Sequence, residues 1–385
     1  MPSVRTISPE DARRYLLAQV GLQRRTKRRG LSGVRAVLQS LRCIQLDPLD
    51  PMGTNADLVA LARVDGLQRG DVYRAALGGH GFEHFAKERC LLPASAFPFY
   101  RERAARDPWW RLGTKTRQVP QQVLDAIVDE IEARGPSTSA ELTDRGRVIP
   151  MDWSGWKGTS SMTSMALEIL RARCRLVVVE RTANAKRYDV PSRALPAVAH
   201  VRPDTSFESW ALCERVEAAG LLARATGPCW SMLESVFSSP LPDRLVAQGR
   251  LELVQVAGSR RTYLAPAGFL DRPRPRDDGR LRILAPLDPL LWDRKLVAQI
   301  FGFEYIWEVY KPAPQRRWGW YVCPLLHRGH LVGRLEGRVR DGGLVIEQLW
   351  PEPGRTLDHD ALDEALERHA VACGAEWYQR PEPDA

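Results

Sequence analysis

The chain has 385 residues, of which 44% are hydrophobic and 27% are charged, a balance typical of a globular protein with more than one domain. No apolar run approaches the roughly 18–20 residues of a membrane span, and Met1–Arg5 lacks the apolar core of a secretory signal. The seven cysteines are scattered and include no Cys-x-x-Cys pair. We therefore expect reduced thiols, a cytoplasmic location and no membrane partner.

The formal net charge is +9, and most of the basic residues are arginines. Because a guanidinium group forks onto phosphates and stacks on bases, this excess predicts a polyanion partner such as nucleic acid. A basic run occupies residues 24–29. It is either a solvated loop or a phosphate-binding segment.

Near the start of the chain, Ser8 followed by Pro9 and two acidic residues predicts a helix that runs to about Val20. Ser32 is expected to cap a second helix that ends at Leu41. Further helices are expected near residues 55–64, 70–77 and 93–106. Phe82–Leu92 contains short β-like runs that break around Lys87 and Glu88.

Between these helices, Leu41–Pro48 predicts a short strand with a pair of polar side chains. In an extended strand Gln45 and Asp47 project from the same face, while Ile44 and Leu46 face the core. A carboxylate beside an amide is able to hold a reactive water molecule. The alternative is a solvated edge or turn cap.

Two stretches repeat at an offset of 75 residues. Arg175–Pro191, which passes through Ala183 and Asn184, matches Arg250–Pro266, and arginine, leucine, tyrosine and proline recur at the same offsets. Each stretch predicts a two-stranded hairpin with a polar tip. Expected helices precede the hairpins, at residues 120–133 and 160–173 for the first and at 205–219 and 235–248 for the second.

Helices followed by a two-stranded wing are typical of winged-helix domains, which contact DNA or serve as protein scaffolds. We expect an α+β fold with three tandem winged-helix domains and a small C-terminal antiparallel sheet or partial barrel. The predicted domains are residues 1–117 with the catalytic strand, 118–200, 201–270 and the C-terminal residues 271–385.

In the C-terminal part, strands are expected at residues 304–310, 318–325, 330–339 and 344–349, and a closing helix at 358–373. A Pro-rich linker at residues 271–279 precedes them. A stiff basic turn at residues 310–320 carries Arg316 and Arg317 at its tip, where they are free to meet a DNA backbone.

The order and spacing of several motifs resemble those of the winged-helix DNA glycosylases of interstrand-crosslink repair, the YcaQ-like or AlkZ-like family. The resemblance covers nearly the whole chain. The segments that carry it are Ile44–Asp47, Asp57–Arg63, Phe82–Glu88, Tyr188–Pro191, Leu287–Arg294 and Tyr321–Leu326.

The family's catalytic signature, Gln, an apolar residue, then Gln or Asp, reads Gln45-Leu46-Asp47 in this chain. The resemblance therefore implies a monofunctional DNA glycosylase with Gln45 and Asp47 as catalytic residues. His84, Lys87 and Glu88 are candidates to line the site, although His84 lies on an apolar strand and has a core histidine as its alternative. Lys87 stands where histidine is usual. Lys87 is also a candidate Schiff-base nucleophile for lyase chemistry, for which the alternative is a phosphate contact or a salt bridge.

The implied partner is double-stranded DNA with alkylated or crosslinked purines, bound by a monomer associated with the nucleoid. The expected DNA-binding residues are Arg24, Arg25, Lys27, Arg28, Arg29, Lys186, Arg187, Arg260, Arg261, Arg294, Arg316 and Arg317. The seven histidines show no metal-binding spacing, and no glycine-rich phosphate loop precedes a helix. We expect no metal and no cofactor.

Two other classes of function compete with this prediction. A non-catalytic winged-helix DNA-binding protein or transcriptional regulator needs side chains aimed at base edges and, in most cases, a dimer. The sequence shows no dimerisation heptad. A scaffold that uses its winged-helix domains for protein contacts is the least favoured class, because it does not explain the excess of basic residues.

Overall fold

A computed structural model describes residues 4–106, 119–149, 159–182 and 185–381. Helices and strands are mixed along the chain, which confirms the predicted α+β class. The α-helices are α1 (Pro9–Gln19), α2 (Gly30–Leu41), α3 (Asn55–Leu61), α4 (Asp71–Leu77), α5 (Phe97–Arg106), α6 (Gln121–Arg134), α7 (Met162–Ala172), α8 (Pro191–Ala194), α9 (Phe207–Ala219), α10 (Glu234–Phe237), α11 (Leu241–Ala247), α12 (Arg294–Phe301) and α13 (His359–Cys373).

The strands form several small sheets. They are β1 (Val4–Ile7), β2 (Ile44–Gln45), β3 (Gly81–Phe85), β4 (Arg89–Pro93), β5 (Ser137–Thr138), β6 (Arg147–Val148), β7 (Ser160–Ser161), β8 (Val177–Arg181), β9 (Lys186–Asp189), β10 (Leu222–Ala223), β11 (Leu251–Val256), β12 (Thr262–Pro266), β13 (Arg282–Ile283), β14 (Val322–His327), β15 (His330–Arg340), β16 (Gly343–Pro351) and β17 (Trp377–Gln379).

The chain forms two compact units. Unit 1 contains Met1–Val72, Phe85–Cys90 and Ala211–Ala385, and unit 2 contains Tyr73–His84 and Leu91–Trp210. The finer division into four domains stays a prediction, and the boundary that it places after residue 117 lies outside the described residues.

The first two helices begin in different ways. Helix α1 starts as predicted, because the Ser8 side chain accepts a hydrogen bond from the Asp11 amide at 3.0 Å. Helix α2 starts two residues before the predicted cap, at Gly30, whose amide donates to the Asp65 carbonyl at 3.0 Å. Ser32 lies inside the helix and donates its hydroxyl to the Arg29 carbonyl. Its role as a cap is therefore a prediction that the structure contradicts.

Helix α3 follows the predicted catalytic strand and is shorter than expected. A capping box starts it, in which Thr54 and Asp57 each bind the other's backbone amide. The helix ends at Leu61 instead of residue 64. Two residues later the carbonyl of Arg63 accepts the amide of Thr26 at 3.0 Å.

Both repeated segments form the predicted hairpins. Strands β8 and β9 pair antiparallel in unit 2, and β11 and β12 pair antiparallel in unit 1. Leu176 and Leu251 occupy equivalent buried positions, as do Tyr188 and Tyr263. Two residues of the first hairpin tip, Ala183 and Asn184, lie outside the described residues.

The environments of the hairpins differ in a way that the repeat did not predict. Strand β1 adds to β11 in parallel, which gives the sheet order β1-β11-β12-β10. The single helix predicted over residues 235–248 is wrong, because the chain forms the short helices α10 and α11. Pro240 and Pro242 lie at the break, and proline lacks the amide hydrogen that a continuous helix requires.

The C-terminal part of the chain forms a five-stranded sheet in the order β13-β14-β15-β16-β17. Its pairings are antiparallel, apart from the parallel pair of β16 and β17. Helix α13 closes this part as predicted, with Asp358 as its N-cap. Strand β14 begins four residues later than expected.

The predicted strand at residues 304–310 is absent. The segment folds around the carboxylate of Glu308. This carboxylate accepts hydrogen bonds from the amides of Arg317 and Trp318 at 3.1 and 2.8 Å, and it forms an ion pair with Lys311 at 2.8 Å. Burial tends to raise the pKa of Glu308, but these partners outweigh it and lower the pKa to about 2. The Arg317 and Trp318 amides thus donate to the buried Glu308 carboxylate instead of to a neighbouring strand.

A buried ion pair joins helix α3 to the segment that leads into α12. Arg63 donates to both carboxylate oxygens of Asp288 at 2.7 and 3.0 Å, and both side chains are almost completely withdrawn from water. Arg63 also donates to the carbonyls of Val20 and Val59. The guanidinium group therefore holds three segments of unit 1 together.

Asp288→Asn is expected to lower the free energy of unfolding by about 3–5 kcal/mol, because it leaves the buried charge of Arg63 without a counter-ion. Asparagine keeps an oxygen that is able to accept the Leu290 amide, so the local turn is preserved. Urea unfolding of both proteins measures the difference.

Glu10→Gln is the control, since it breaks an exposed pair with Arg14 and should cost less than about 1 kcal/mol. Equal losses in the two variants would contradict a special role for the buried pair.

Candidate active site

The predicted catalytic strand is present but very short. Strand β2 contains only Ile44 and Gln45, and the next amide, that of Leu46, donates to the Arg89 carbonyl at 2.8 Å. Both predicted core residues, Ile44 and Leu46, are buried, and so is Gln45. The expected contrast between a core face and an open face is therefore not seen at Gln45.

The backbone of Gln45 is fixed by Asn55, whose side chain is completely buried. Asn55 donates its amide to the Gln45 carbonyl at 2.8 Å and accepts the Leu287 amide at 3.1 Å. The side chain thus bridges β2 to the Asp288 segment. Sequence reasoning missed this role; the available signal is a polar amide in the first turn of an apolar helix, directly after the Thr54 cap.

The side chain of Gln45 has a defined orientation. Its Oε1 accepts a hydrogen bond from Lys87 Nζ at 3.2 Å, and both side chains are buried. Because lysine has donors only, the oxygen must face Lys87, and the Nε2 donor group of Gln45 faces the other way. The Lys87 ammonium also lies 5.3 Å from the ring centroid of Trp292.

Asp47 is half-buried directly after this strand. Its Oδ1 accepts the Leu49 amide at 3.0 Å across Pro48. Burial raises the pKa of Asp47, and the hydrogen bond from Leu49 opposes this effect only partly. The carboxylate is therefore poorly compensated in its ionised form, which is a common property of catalytic acids and bases.

Two tyrosines from the C-terminal part of unit 1 lie within the electrostatic reach of Asp47. Burial raises the pKa of Tyr310, and the charges of Asp47 and Glu88 raise it further, although the ring is 83% exposed. Tyr321 is buried, and its hydroxyl has no hydrogen-bond partner among the described residues. Tyr310, where the basic turn begins, is therefore close enough to Asp47 and Glu88 for their charges to act on its hydroxyl group.

Glu88 and Lys87 lie in the turn between β3 and β4, and both belong to unit 1 together with Gln45 and Asp47. Glu88 accepts the Ser231 hydroxyl at 2.9 Å, a partner that the sequence did not predict. Burial lowers the pKa of Lys87; Cys229, Cys90 and Glu88 raise it, and Arg215 lowers it. The structure therefore brings four of the five predicted site residues into one unit.

His84, the fifth predicted residue, belongs to unit 2. Its Nε2 lies 3.1 Å from the Ala172 carbonyl, and its ring lies 4.5 Å from the ring of Tyr100. The residue is buried beside Phe82. These contacts are those of a packed core histidine.

A cavity of about 320 Å³ adjoins Lys87 in unit 1. Its wall includes Trp292, Cys229, the bidentate ion pair of Arg261 with Asp293, and a rim with two exposed cations. The exposed cations are Arg294 and Lys295. The cavity is therefore basic, apart from the carboxylate that Arg261 neutralises.

The predicted DNA-binding residues fall into two groups. Some are exposed: Arg24, Lys27, Arg28, Arg29, Arg260, Arg294 and Arg317. Others are engaged within the protein: Arg25 with Asp65, Lys186 with Glu168, Arg187 with Glu141, and Arg261 with Asp293. Arg316 donates to the Lys311 carbonyl, and the exposed Arg317 pairs with Glu304 at 2.8 Å.

In residues 4–106, 119–149, 159–182 and 185–381, no cluster of three or more His, Cys, Asp or Glu side chains is arranged to hold a metal ion. Across the same ranges, no helix combines the length and apolar character needed to cross a membrane. The side chains of Asp47, Gln45 and Lys87 offer the site a carboxylate, an amide and a buried ammonium group.

Comparison with known proteins places these features in a family. The model of the family described as DNA glycosylase AlkZ-like matches residues 38–372. A solved structure, the Streptomyces sahachiroi DNA glycosylase AlkZ, is similar over 98% of this chain and 99% of its own, with a TM-score of 0.62 and 18% identity. At that identity the likeness shows the fold alone, whereas the family match extends over most of the sequence. The chain belongs to the AlkZ-like family of DNA glycosylases.

Proposed function

We propose that the protein is a monofunctional DNA glycosylase that hydrolyses the N-glycosidic bond of cationic alkylated purines in duplex DNA, including purines within interstrand crosslinks. Family membership supports a DNA substrate. The observation that carries the proposal is the half-buried Asp47, whose pKa is raised by burial, two positions after Gln45, whose side-chain amide is fixed by Lys87.

The chemistry of the substrate suits a single carboxylate. A purine alkylated at N7 of guanine or N3 of adenine is positively charged and leaves as a neutral base, so a strong general acid is unnecessary. Water forms a bond to C1′, the C1′–N9 bond breaks, and its electron pair neutralises the base. Asp47 stabilises the positive charge that develops on the sugar and accepts the proton of the water.

The magnitude of this effect is adequate. Opposite unit charges about 4 Å apart attract by about 4 kcal/mol at an effective dielectric constant of about 20. That free energy corresponds to about 10³-fold in rate. Glycosidases that act on neutral leaving groups need a second carboxyl group, whereas a cationic base needs only one.

Gln45 and Lys87 have supporting roles in this proposal. Lys87 fixes the Gln45 oxygen, so the Gln45 Nε2 group is left to donate to the attacking water or to the Asp47 carboxylate. Lys87 is therefore a positioning residue. Because its ammonium is taken up by Gln45 and the Trp292 ring, we do not assign it lyase chemistry.

DNA binding is proposed to involve three tandem winged-helix domains and a C-terminal partial barrel, within a monomer. The exposed cations of the basic run, Arg24, Lys27, Arg28 and Arg29, together with Arg260 and Arg294, are suited to phosphate contacts because their guanidinium or ammonium groups are accessible. A purine tethered to both strands cannot swing fully into a closed pocket, so an open groove would suit it better than complete base flipping.

Asp47→Asn should lower the single-turnover cleavage rate by about 10³-fold on a duplex with one N7-methylguanine, because the charge that stabilises the transition state is lost. Binding of the same duplex should change by less than about threefold. Alkali cleavage of the abasic product and a gel shift measure the two quantities.

Asp50→Asn is the matched control, since Asp50 lies in the same loop but pairs with Arg69 and accepts the Gly53 amide. It should retain cleavage. An active Asp47→Asn protein would refute the catalytic assignment. Sequence-dependent binding without any abasic product from the unsubstituted protein would favour a transcriptional regulator instead.

Asp47→Asn also tests whether the ionised Asp47 carboxylate destabilises the folded protein. Burial raises the folded-state pKa of Asp47 above its unfolded value of about 3.9, so ionised Asp47 destabilises the folded state at neutral pH. Asp47→Asn should therefore raise the melting temperature at pH 7–8. The gain should shrink as the pH falls towards about 4, where the carboxyl group becomes protonated in both states. A lower melting temperature at neutral pH would contradict this assignment.

Lys87→Met should keep the packing of the aliphatic stem but release the Gln45 amide, and we expect cleavage to slow by about 10- to 100-fold. Because burial lowers the pKa of Lys87, the activity of the natural protein should decline at a lower pH than an ordinary lysine would allow. Lys87→Arg keeps donors that stay charged, so it should recover part of the activity and lose this alkaline decline. Pre-steady-state rates between pH 6 and 10 measure both effects.

Trapping with borohydride distinguishes lyase chemistry. No covalent adduct between Lys87 and DNA is expected. A trapped adduct that disappears in Lys87→Met would overturn the positioning role.

A further inference from the structure

A second cavity in unit 1, of about 350 Å³, is rich in arginine and separate from the lining of the candidate active site. We call it the arginine cavity. The loop after α3, strand β13 and helix α13 form its wall. Its charged lining residues are Arg25, Arg29, Asp65, Arg282, Glu367 and Arg368.

The guanidinium groups of this cavity are unusually crowded. The Arg25 side chain is 10% exposed and that of Arg282 is 1% exposed. Asp65 is shared between Arg25 at 2.8 Å and Arg280 at 3.0 Å, and Asp278 pairs with Arg282 at 2.7 Å. Two carboxylates thus serve three guanidinium groups.

Arg368 has weaker compensation. Its ion pair with Glu364 is 3.5 Å long, and the Glu364 side chain is 70% exposed. Arg368 also donates to the Leu281 carbonyl at 3.3 Å. The Nε atoms of both Arg25 and Arg368 are buried without an acceptor among the described residues. Buried donors of this kind normally have a partner.

The pKa shifts agree with this geometry. The pKa of Arg25 is lowered to about 10, because burial lowers it, Asp65 only partly opposes this effect, and Arg368, Arg282 and Arg280 add to the lowering. Burial and Arg280 also lower the pKa of Arg368.

Arg171 provides a contrast, because it is a buried arginine whose charge is compensated by nearby carboxylates. Burial also disfavours the charged form of Arg171, yet Glu168 and Glu83 outweigh it and raise the pKa. The charges of Arg25 and Arg368 are therefore less completely compensated than that of Arg171.

We propose that the arginine cavity binds a phosphate group, supplied by the DNA backbone or by a free phosphate compound. A phosphate has several acceptor oxygens and matches the fork of a guanidinium group, so it is suited to the exposed Arg29 and the partly exposed Arg368 and offsets the excess positive charge. Gly66 lies on the lining with φ at +71°, and a Cβ there would stand 3.5 Å from Arg29 Nη2. Glycine at this position leaves the side of the cavity beside Arg29 open. The site does not depend on the proposed catalytic residues.

Inorganic phosphate is the first probe. Thermal unfolding and calorimetric titration of the full chain are compared in phosphate and in chloride at equal ionic strength. Phosphate should raise the melting temperature in a saturable manner. Arg368→Gln should weaken phosphate binding at least tenfold, while the control Arg14→Gln, an exposed arginine of α1, should leave it unchanged.

Duplex DNA without a lesion distinguishes the two sources of phosphate. If the DNA backbone occupies the cavity, DNA competes with phosphate, and Arg368→Gln reduces the slope of log affinity against log salt concentration by about one. If a free phosphate compound occupies it, phosphate binds but this slope is unchanged. Equal stabilisation by phosphate and chloride, or equal phosphate affinity of Arg368→Gln and the unsubstituted protein, would overturn the proposal. Cleavage by the proposed catalytic residues is measured separately, so the two proposals fail independently.

Discussion

Arg63 and Asp288 lie 225 positions apart in the sequence and are both sealed from water, so each charge can be tolerated only while the other is in place. The pair aligns helix α3 with the segment that begins at Leu287. Asn55 then uses this alignment to connect the Leu287 amide with the Gln45 carbonyl. The position of the candidate catalytic strand is thus a consequence of long-range polar contacts, since two residues of β-structure alone would be too short to define it.

The groups closest to the proposed chemistry are held at an electrostatic cost. Burial disfavours the charged forms of both Asp47 and Lys87. Hydrogen bonds from Leu49 and to Gln45 recover part of this free energy. Functional sites commonly retain such unfavourable charges, and the remainder of the fold must supply the compensating stability. Arg63 and Glu308 are well paired, whereas Asp47 and Lys87 at the candidate site and Arg25 and Arg368 in the arginine cavity are less completely compensated.

Local patterns predicted what depends on local physics. The Ser8 cap, the turn at Lys87 and Glu88, and both hairpins were accessible because capping, turn formation and strand alternation act over a few residues. The helix predicted over residues 235–248 failed for a local reason, its two prolines. Other failures involve distant partners. Residues 304–310 have the composition of a strand, but Glu308 draws the amides of Arg317 and Trp318 around itself. Likewise, no short sequence pattern predicts that Asn55 accepts a hydrogen bond from the Leu287 amide. Nor does one predict that Arg25 forms an ion pair with Asp65 while the neighbouring cations of the basic run remain exposed.

Phe85–Cys90 belongs to unit 1, although the chain on both sides of it belongs to unit 2. The polypeptide therefore passes between the units four times. The candidate catalytic strand and Lys87 come from two segments of unit 1 that are separated in the sequence by part of unit 2. Neither unit can be produced as one uninterrupted fragment. An isolated version of unit 1 would need two artificial connections, one on each side of Phe85–Cys90, before it contained the complete set of Gln45, Asp47, Lys87 and Glu88.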